Sequence, residues 1–237
     1  MNLSNNDRPL LKKFLKKVPV FKNFSKENLE QIVNNFKIRH AKKGELIFFQ
    51  SEKGTELYLI LKGKVVVTLM GKGGEEFILS ELNKGDFFGE LSLIDGKSRS
   101  ATVFAGEDSI LGILERKSLL NLIKKDPDIA IDLLETVVHR LRQATVREEL
   151  FAFLDVRERL LKLLVYFVKT EGKKETNGLY KIKKHTQKEL AARIGASREA
   201  ISKILKEMAN NKIFKEEKDC FLIAPHICES LEKDITL

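Results

Sequence analysis

Between about residue 38 and residue 114, glycine divides the chain into apolar runs too short for helices and well sized for strands. The runs 45–50, 56–61, 64–70, 76–81, 101–104 and 110–114 are rich in Ile, Val, Leu and Phe. Gly44, Gly54, Gly63, the cluster Gly71, Gly73 and Gly74, then Gly85 and Gly106 separate most of them, each a turn signal. Strands recurring about every ten residues predict a small antiparallel β-barrel or sandwich, jelly-roll-like in form.

The pattern is different on either side. Leu10, Phe14 and Leu15, then Leu29, Ile32, Val33 and Phe36, mark an amphipathic helical start. From Asp126-Pro127 onward the chain turns helical, and neither glycine nor proline interrupts it until Gly172. Proline suits the first turn of a helix because its missing N–H would be unpaired there in any case. Leu134, Val137, Leu141, Ala144, Glu148 and Phe151 recur at spacings of three and four, which predicts a seam packed on another helix. A rod of about 27 residues would be roughly 40 Å long, and its most natural mate is its own copy; the alternative, since Glu148 interrupts the seam, is that the stripe packs on the barrel. Asp155 followed by Glu158 forms a capping box, so a new helix begins there and a hinge falls near Phe153-Leu154-Asp155. These changes set boundaries at 1–126, 127–154 and 155–237 in an α+β chain.

Composition narrows the function classes. Of 237 residues, 43% are hydrophobic and 32% charged, enough apolar material for a real core. No apolar run is long enough to span a bilayer and the start lacks a signal-peptide core, so a cytoplasmic protein with no membrane partner is expected. Two cysteines, Cys220 and Cys228, and four histidines, His40, His139, His185 and His226, lack metal-site spacing, and the histidines are expected on the surface. No nucleophile–base pair is signalled, so an enzyme is not expected.

With 43 Lys and Arg against 34 Asp and Glu the net charge is +9. Segment 181–212 holds nine basic and three acidic residues, the footprint of a segment that meets a phosphate backbone. Within it, Thr186 and Glu189 form a capping box that opens a helix running from Gln187 to about Ile194. Gly195 ends that helix, and Ser197 caps the next, which runs to about Asn210 with Ile201, Ile204, Leu205 and Met208 inward. Two helices joined by so short a turn predict a helix-turn-helix, with the N-terminal turns of the second helix in the major groove. Arg198, Glu199, Ser202 and Lys203 are the exposed base readers. Arg198 can donate twice to guanine, Glu199 can accept from cytosine N4, and Lys203 can reach guanine or a phosphate. Thr186 and Gln187 are candidates for phosphate contacts, and residues 211–224 predict a two-stranded wing turning near Lys218-Asp219.

A second constellation lies in Phe88–Thr102, FGELSLIDGKSRSAT. Gly89, Glu90 and Leu91 form a turn able to present backbone amides to an anion, and Arg99 with Ser100 can neutralise and hydrogen-bond a phosphate. A buried Glu90 calls for a donor, such as a ribose hydroxyl. This run resembles the phosphate-binding cassette of cyclic-nucleotide-binding domains, F-G-E-L-x-L followed eight or nine residues later by R-[ST]-A. Together with ELAARIGASREAISKILKEM and the FLDV hinge, the chain from about 20 to 225 resembles the bacterial cyclic-AMP receptor protein/fumarate-nitrate regulator family.

The resemblance implies a sensor, a dimerisation helix and a winged helix-turn-helix, acting as a homodimer on a near-palindromic double-stranded DNA operator, with RNA polymerase as a further partner. It implies that Glu90 holds a ribose 2′-hydroxyl, Arg99 and Ser100 a cyclic phosphate, and Gly89 and Leu91 the turn. No tightly bound cofactor is implied, and the effector is a cyclic nucleotide, cyclic AMP first. Two positions depart from the family pattern. Lys203 stands where the cyclic-AMP branch commonly has arginine, and Ala144-Thr145 stands where that branch has two consecutive hydroxyls meeting adenine, so only Thr145 keeps one. Losing one hydrogen bond costs about 1 kcal/mol, enough to retune affinity and too little to exclude binding. A constitutive regulator with a degenerate effector pocket is the rival reading, ahead of a nucleotide-binding subunit that does not engage DNA.

Overall fold

The computed structural model describes residues 24–227 together with Leu11, Lys12, Phe14, Leu15, Lys16 and Val18. Leu10 and Cys228 lie outside the described residues. The chain divides into two compact units, Met1–Ala144 and Thr145–Leu237.

In the first unit, helix α1 (Lys26–Asn35), capped by the Ser25 side chain on Asn28 N, precedes the strands. Eight strands follow: β1 (Lys37–Ala41), β2 (Leu46–Phe48), β3 (Glu56–Lys62), β4 (Lys64–Met70), β5 (Glu76–Asn83), β6 (Phe87–Phe88), β7 (Thr102–Ala105) and β8 (Ser109–Glu115). A short helix, α2 (Glu90–Asp95), interrupts them between β6 and β7. The strands form two four-stranded antiparallel sheets, ordered β1-β8-β3-β6 and β2-β7-β4-β5. The architecture is thus a sandwich of two sheets, and no closed barrel forms among the described residues.

Strand β3 shows why its sequence reads as one apolar run. Tyr58 and Ile60 enter the core between the sheets, with Phe48, Val65, Val103 and Leu111. Leu57 and Leu59 point the opposite way, into a second core with Leu29, Ile32, Phe36, Leu119 and Leu133. Successive side chains leave a strand on opposite faces, so a strand covered on both sides loses the apolar–polar alternation. Strands β1 and β6 were not among the expected runs. β1 carries Lys37, Arg39 and His40 and pairs along β8 at an edge of its sheet, while β6 is only two residues long.

Helix α3 (Arg116–Lys125) follows β8 and packs Leu119 and Leu122 into the core shared with α1. Helix α4 (Asp128–Phe153) then runs for 26 residues, about 39 Å at 1.5 Å per residue. Ile129 and Leu133 on its first turns belong to the core of the first unit. The exposed apolar stripe comprises Ile131, Leu134, Val138 and Leu141. Of the seam expected from sequence, Leu134, Leu141, Ala144, Glu148 and Phe151 are exposed, while Val137 is half-buried and its neighbour Val138 is exposed.

In the second unit, Asp155 caps α5 (Val156–Glu171), and both halves of its capping box are present at 2.8 Å. Next come β9 (Lys173–Lys174), β10 (Tyr180–Lys183), α6 (Gln187–Ile194), α7 (Arg198–Asn210), β11 (Phe214–Glu216) and β12 (Cys220–Ile223). The expected wing is present as β11 and β12. It is part of a larger sheet ordered β11-β12-β10-β9. Leu160, Leu164, Leu190, Ile201, Leu205, Met208 and Phe221 form one core beneath it.

Candidate functional site

Three of the cassette residues singled out from sequence come together in the first unit. Gly89 takes φ 81° immediately before α2. A Cβ there would lie 2.9 Å from the Glu56 carbonyl and 2.7 Å from Arg99 Nη1, so the turn needs glycine both for its backbone angle and for space. Arg99 is buried against this turn. Its Nη1 donates to Gly89 O at 3.0 Å, Glu56 O at 2.9 Å and Ser92 Oγ at 2.9 Å, and its Nη2 donates to Glu56 Oε2 at 3.2 Å. The guanidinium lies over the Phe48 ring, 4.2 Å from its centre, and 5.6 Å from that of Tyr58. Tyr58 in turn stacks on Phe88, and burial pushes its hydroxyl pKa up. Ser100 and Leu91 are exposed.

Glu90 is buried as expected, but its donor belongs to the chain itself. Arg140, on α4, donates from Nη1 to Glu90 Oε1 at 2.7 Å and from Nη2 to the Phe87 carbonyl. Sequence reading missed Arg140 and Glu56 because each is a charged residue on an ordinary helix or strand, fifty and forty-three positions from its partner. Thr145 is exposed on α4 and falls in the second compact unit, outside this cluster.

The helix-turn-helix stands in the second unit with the expected helix limits. Thr186 Oγ1 accepts from Glu189 N and Ser197 Oγ from Ala200 N, both at 3.1 Å. Gly195 takes φ 63° between the helices. Arg198, Glu199, Ser202 and Lys203 are all exposed, and with Gln187 and Lys206 they line one surface concavity.

Two expectations are corrected here. The Glu189 carboxylate does not complete a capping box with Thr186. It accepts from His185 Nδ1 at 3.0 Å and from Arg193 at 3.4 Å. His185 is also no surface residue. It is 9% exposed, stacks on Phe167 with ring centres 4.1 Å apart, and places Nε2 3.2 Å from Glu171 Oε1. His40, His139 and His226 are exposed as expected.

Arg159 is a further residue that sequence did not single out. It donates to the Leu154 carbonyl at 2.9 Å and to the Ile194 carbonyl at 3.1 Å, tying the start of α5 to the end of the first helix of the pair. Its guanidinium lies over Phe151.

Comparison with known proteins identifies both domains. A cyclic nucleotide-binding domain model matches residues 38–126, and a Crp-like helix-turn-helix domain model matches 158–224. The cyclic AMP receptor protein of Thermus thermophilus is 35% identical over 205 residues, 85% of this chain and 90% of that one. The chain belongs to the Crp/Fnr family. The cAMP-activated global transcriptional regulator CRP of Salmonella typhimurium is 33% identical over 187 residues, 78% of this chain and 88% of that one. Among solved structures, the c-di-GMP responsive global regulator CLP of Xanthomonas campestris has a TM-score of 0.73 at 19% identity, covering 84% of this chain and 99% of that one. That likeness is one of fold.

As a Crp/Fnr protein this chain is a transcription regulator built from a cyclic nucleotide-binding domain and a helix-turn-helix domain, and its relatives are regulators rather than enzymes. The first family match spans β1 to α3 and contains the Gly89, Glu90 and Arg99 cluster. The second spans α5 to β12 and contains the Arg198 to Lys203 face. Among the described residues no helix is long and apolar enough to cross a membrane, and no cluster of His, Cys, Asp and Glu could hold a metal ion.

Proposed function

We propose that this protein is a homodimeric regulator that binds a near-palindromic operator and is gated by a cyclic nucleotide, cyclic AMP first, held in its sensor unit. The observation that carries this reading is the buried Arg99 beside the left-handed Gly89 turn and the buried Glu90. Arg99 and Glu90 flank this turn, and their chemistry matches the two demands of a cyclic nucleotide, a cation for the anion and a carboxylate acceptor for a ribose hydroxyl. In this reading Arg99 and Ser100 take the cyclic phosphate, Glu90 the ribose, and Gly89 with Leu91 shape the turn. Thr145 supplies for the base the one hydroxyl left at positions 144 and 145, since residue 144 is alanine.

The output is the exposed face of α7. Arg198, Glu199, Ser202 and Lys203 read base edges, while Thr186, Gln187 and the capped start at Ser197 set register on the phosphates. Two such faces, joined through the Ile131, Leu134, Val138 and Leu141 stripe, would sit about 34 Å apart on DNA. Gating follows if the nucleotide binds the DNA-competent state more tightly than the other. RNA polymerase is the expected partner once the operator is occupied.

One observation favours a second reading, a constitutive or non-nucleotide regulator with a degenerate pocket. Arg99 already has four acceptors within the protein and Glu90 already has Arg140. Calorimetry against cyclic AMP, cyclic GMP and cyclic di-GMP, run beside a DNA mobility-shift titration, separates the two. Heat with one nucleotide and tighter operator binding in its presence support gating. Operator binding that is equally tight with and without every nucleotide supports the constitutive reading.

A further inference from the structure

Glu56 holds Arg99 from the first residue of β3, and only part of that hold carries charge. Its backbone carbonyl accepts from Arg99 Nη1 and its carboxylate from Nη2. Of the four acceptors around the guanidinium, three are neutral: the carbonyls of Glu56 and Gly89 and the hydroxyl of Ser92. These three, with the Phe48 ring beneath the plane, orient Arg99 without help from a negative charge. The fourth is Glu56 Oε2. The Arg99 side chain is 2% exposed and the Glu56 side chain 38%, so the cation is locked in the interior while its carboxylate borders water.

We propose that Glu56 is a built-in competitor for the anion that Arg99 takes up, and that it sets the affinity of the pocket for a cyclic phosphate. The inference rests on the assignment of Arg99 to the phosphate made above. A phosphate arriving at Nη2 has two courses. It can displace the carboxylate into water, which costs the existing ion pair, or it can share the guanidinium with it and meet like-charge repulsion at short range. Both courses weaken binding, and both act on charged ligands alone. A neutral nucleoside with the same base and ribose does not oppose Glu56. The carboxylate therefore acts as a threshold, keeping the pocket in its self-paired arrangement until the anion concentration is high enough to replace it.

The test is Glu56→Gln, which keeps the backbone carbonyl and an amide oxygen able to accept from Nη2 while removing the charge. Full-length wild type and variant are titrated calorimetrically with cyclic AMP, cyclic GMP and cyclic di-GMP, and with adenosine as the neutral control, after thermal melting has shown that the variant folds. The expected result is roughly tenfold tighter binding of the cyclic nucleotide, in keeping with one charge-assisted contact, and adenosine affinity that stays the same. Glu56→Ala, expected to change in the same direction, replaces the variant if Glu56→Gln does not fold. A folded variant that binds the nucleotide equally or more weakly overturns the competitor role and makes Glu56 a positioning residue for Arg99. No heat from either protein with any of the three nucleotides overturns the nucleotide reading itself, and the competitor role falls with it.

Discussion

Arg140 on α4 donates to the buried Oε1 of Glu90 at 2.7 Å, across fifty residues of chain. The contact joins the cassette to the long helix through a pair whose carboxylate is almost fully buried and whose guanidinium is 30% exposed. Arg140→Gln leaves Glu90 buried beside a neutral group. The expected loss of stability is about 2 kcal/mol, below the 3–5 kcal/mol typical of a broken fully buried pair because water still reaches Arg140. Denaturant unfolding of Arg140→Gln, Glu90→Gln and the double variant checks this, since the double variant should recover most of the loss.

His185 faces two carboxylates at once, Glu189 through Nδ1 and Glu171 through Nε2. A neutral imidazole has a single N–H to donate, so the arrangement favours the doubly protonated ring. Burial pulls the His185 pKa down, but the hydrogen bonds to Glu189 and Glu171 outweigh it, and the net shift is upward from 6.5. The hydrogen bond from His185 lowers Glu189 from 4.5 to about 2, against an opposing effect of burial. Stability from the raised His185 is fully present below pH 6.5 and is lost as pH rises through its folded value. Stability from Glu189 is fully present above pH 4.5 and is lost as pH falls toward about 2. The stability advantage of wild type over His185→Gln should therefore be greatest between about pH 4.5 and 6.5 and decline on the alkaline side. Melting temperatures of both proteins from pH 4 to 10 read it directly, and an advantage that grows with alkalinity contradicts the assignment.

The apolar stripe of α4 predicts the effect of a buried charge. Leu134 is 56% exposed and lies on one line with Ile131, Val138 and Leu141. If that line is the homodimer seam, Leu134→Glu places two carboxylates against each other in an apolar interface. Sedimentation should then show monomer at concentrations where wild type is dimeric, with the sensor unit still folded, because Leu134 is outside its core.

On α7, Arg198 and Lys203 should separate by their salt dependence. Arg198→Ala is expected to cost about 1–3 kcal/mol on the preferred operator and to relax preference at one base pair. Lys203→Ala, if the lysine meets phosphate, should weaken all sequences alike and reduce the salt slope by about one. Mobility shifts at several salt concentrations on specific and scrambled DNA distinguish the two outcomes.

Local signals carried much of the fold. Glycine spacing located the strands from β2 to β5 and β7 to β8. Asp155 with Glu158 located the start of α5, and Thr186, Gly195 and Ser197 located both helices of the DNA-reading pair. In each case turn or cap chemistry acts within three or four residues, so it is written in consecutive sequence. Strands β1, β6, β9 and β10 were missed because β1 and β10 alternate with lysine and other charged residues, β6 is two residues long and β9 is Lys-Lys. Their pairing is supplied by strands distant in sequence.

The cassette was legible as a motif, and its residues could be listed. Which groups they meet could not, because Glu56, Ser92 and Arg140 reach Arg99 and Glu90 only once the sheets and α4 have packed. His185 is similar. A polar residue between two lysines and a cap gives no sign of burial, and Phe167, Glu171 and Glu189 are brought around it by the packing of α5 against α6. Sequence alone determined the strand-then-helix order, the two motif-bearing regions and the family, since these depend on backbone geometry and residue type over short spans. Tertiary structure decided the ion pairs made by Arg99 and Glu90 and the half-buried place of Val137 beside the exposed seam. Those depend on the distance and solvent access of side chains far apart in the chain.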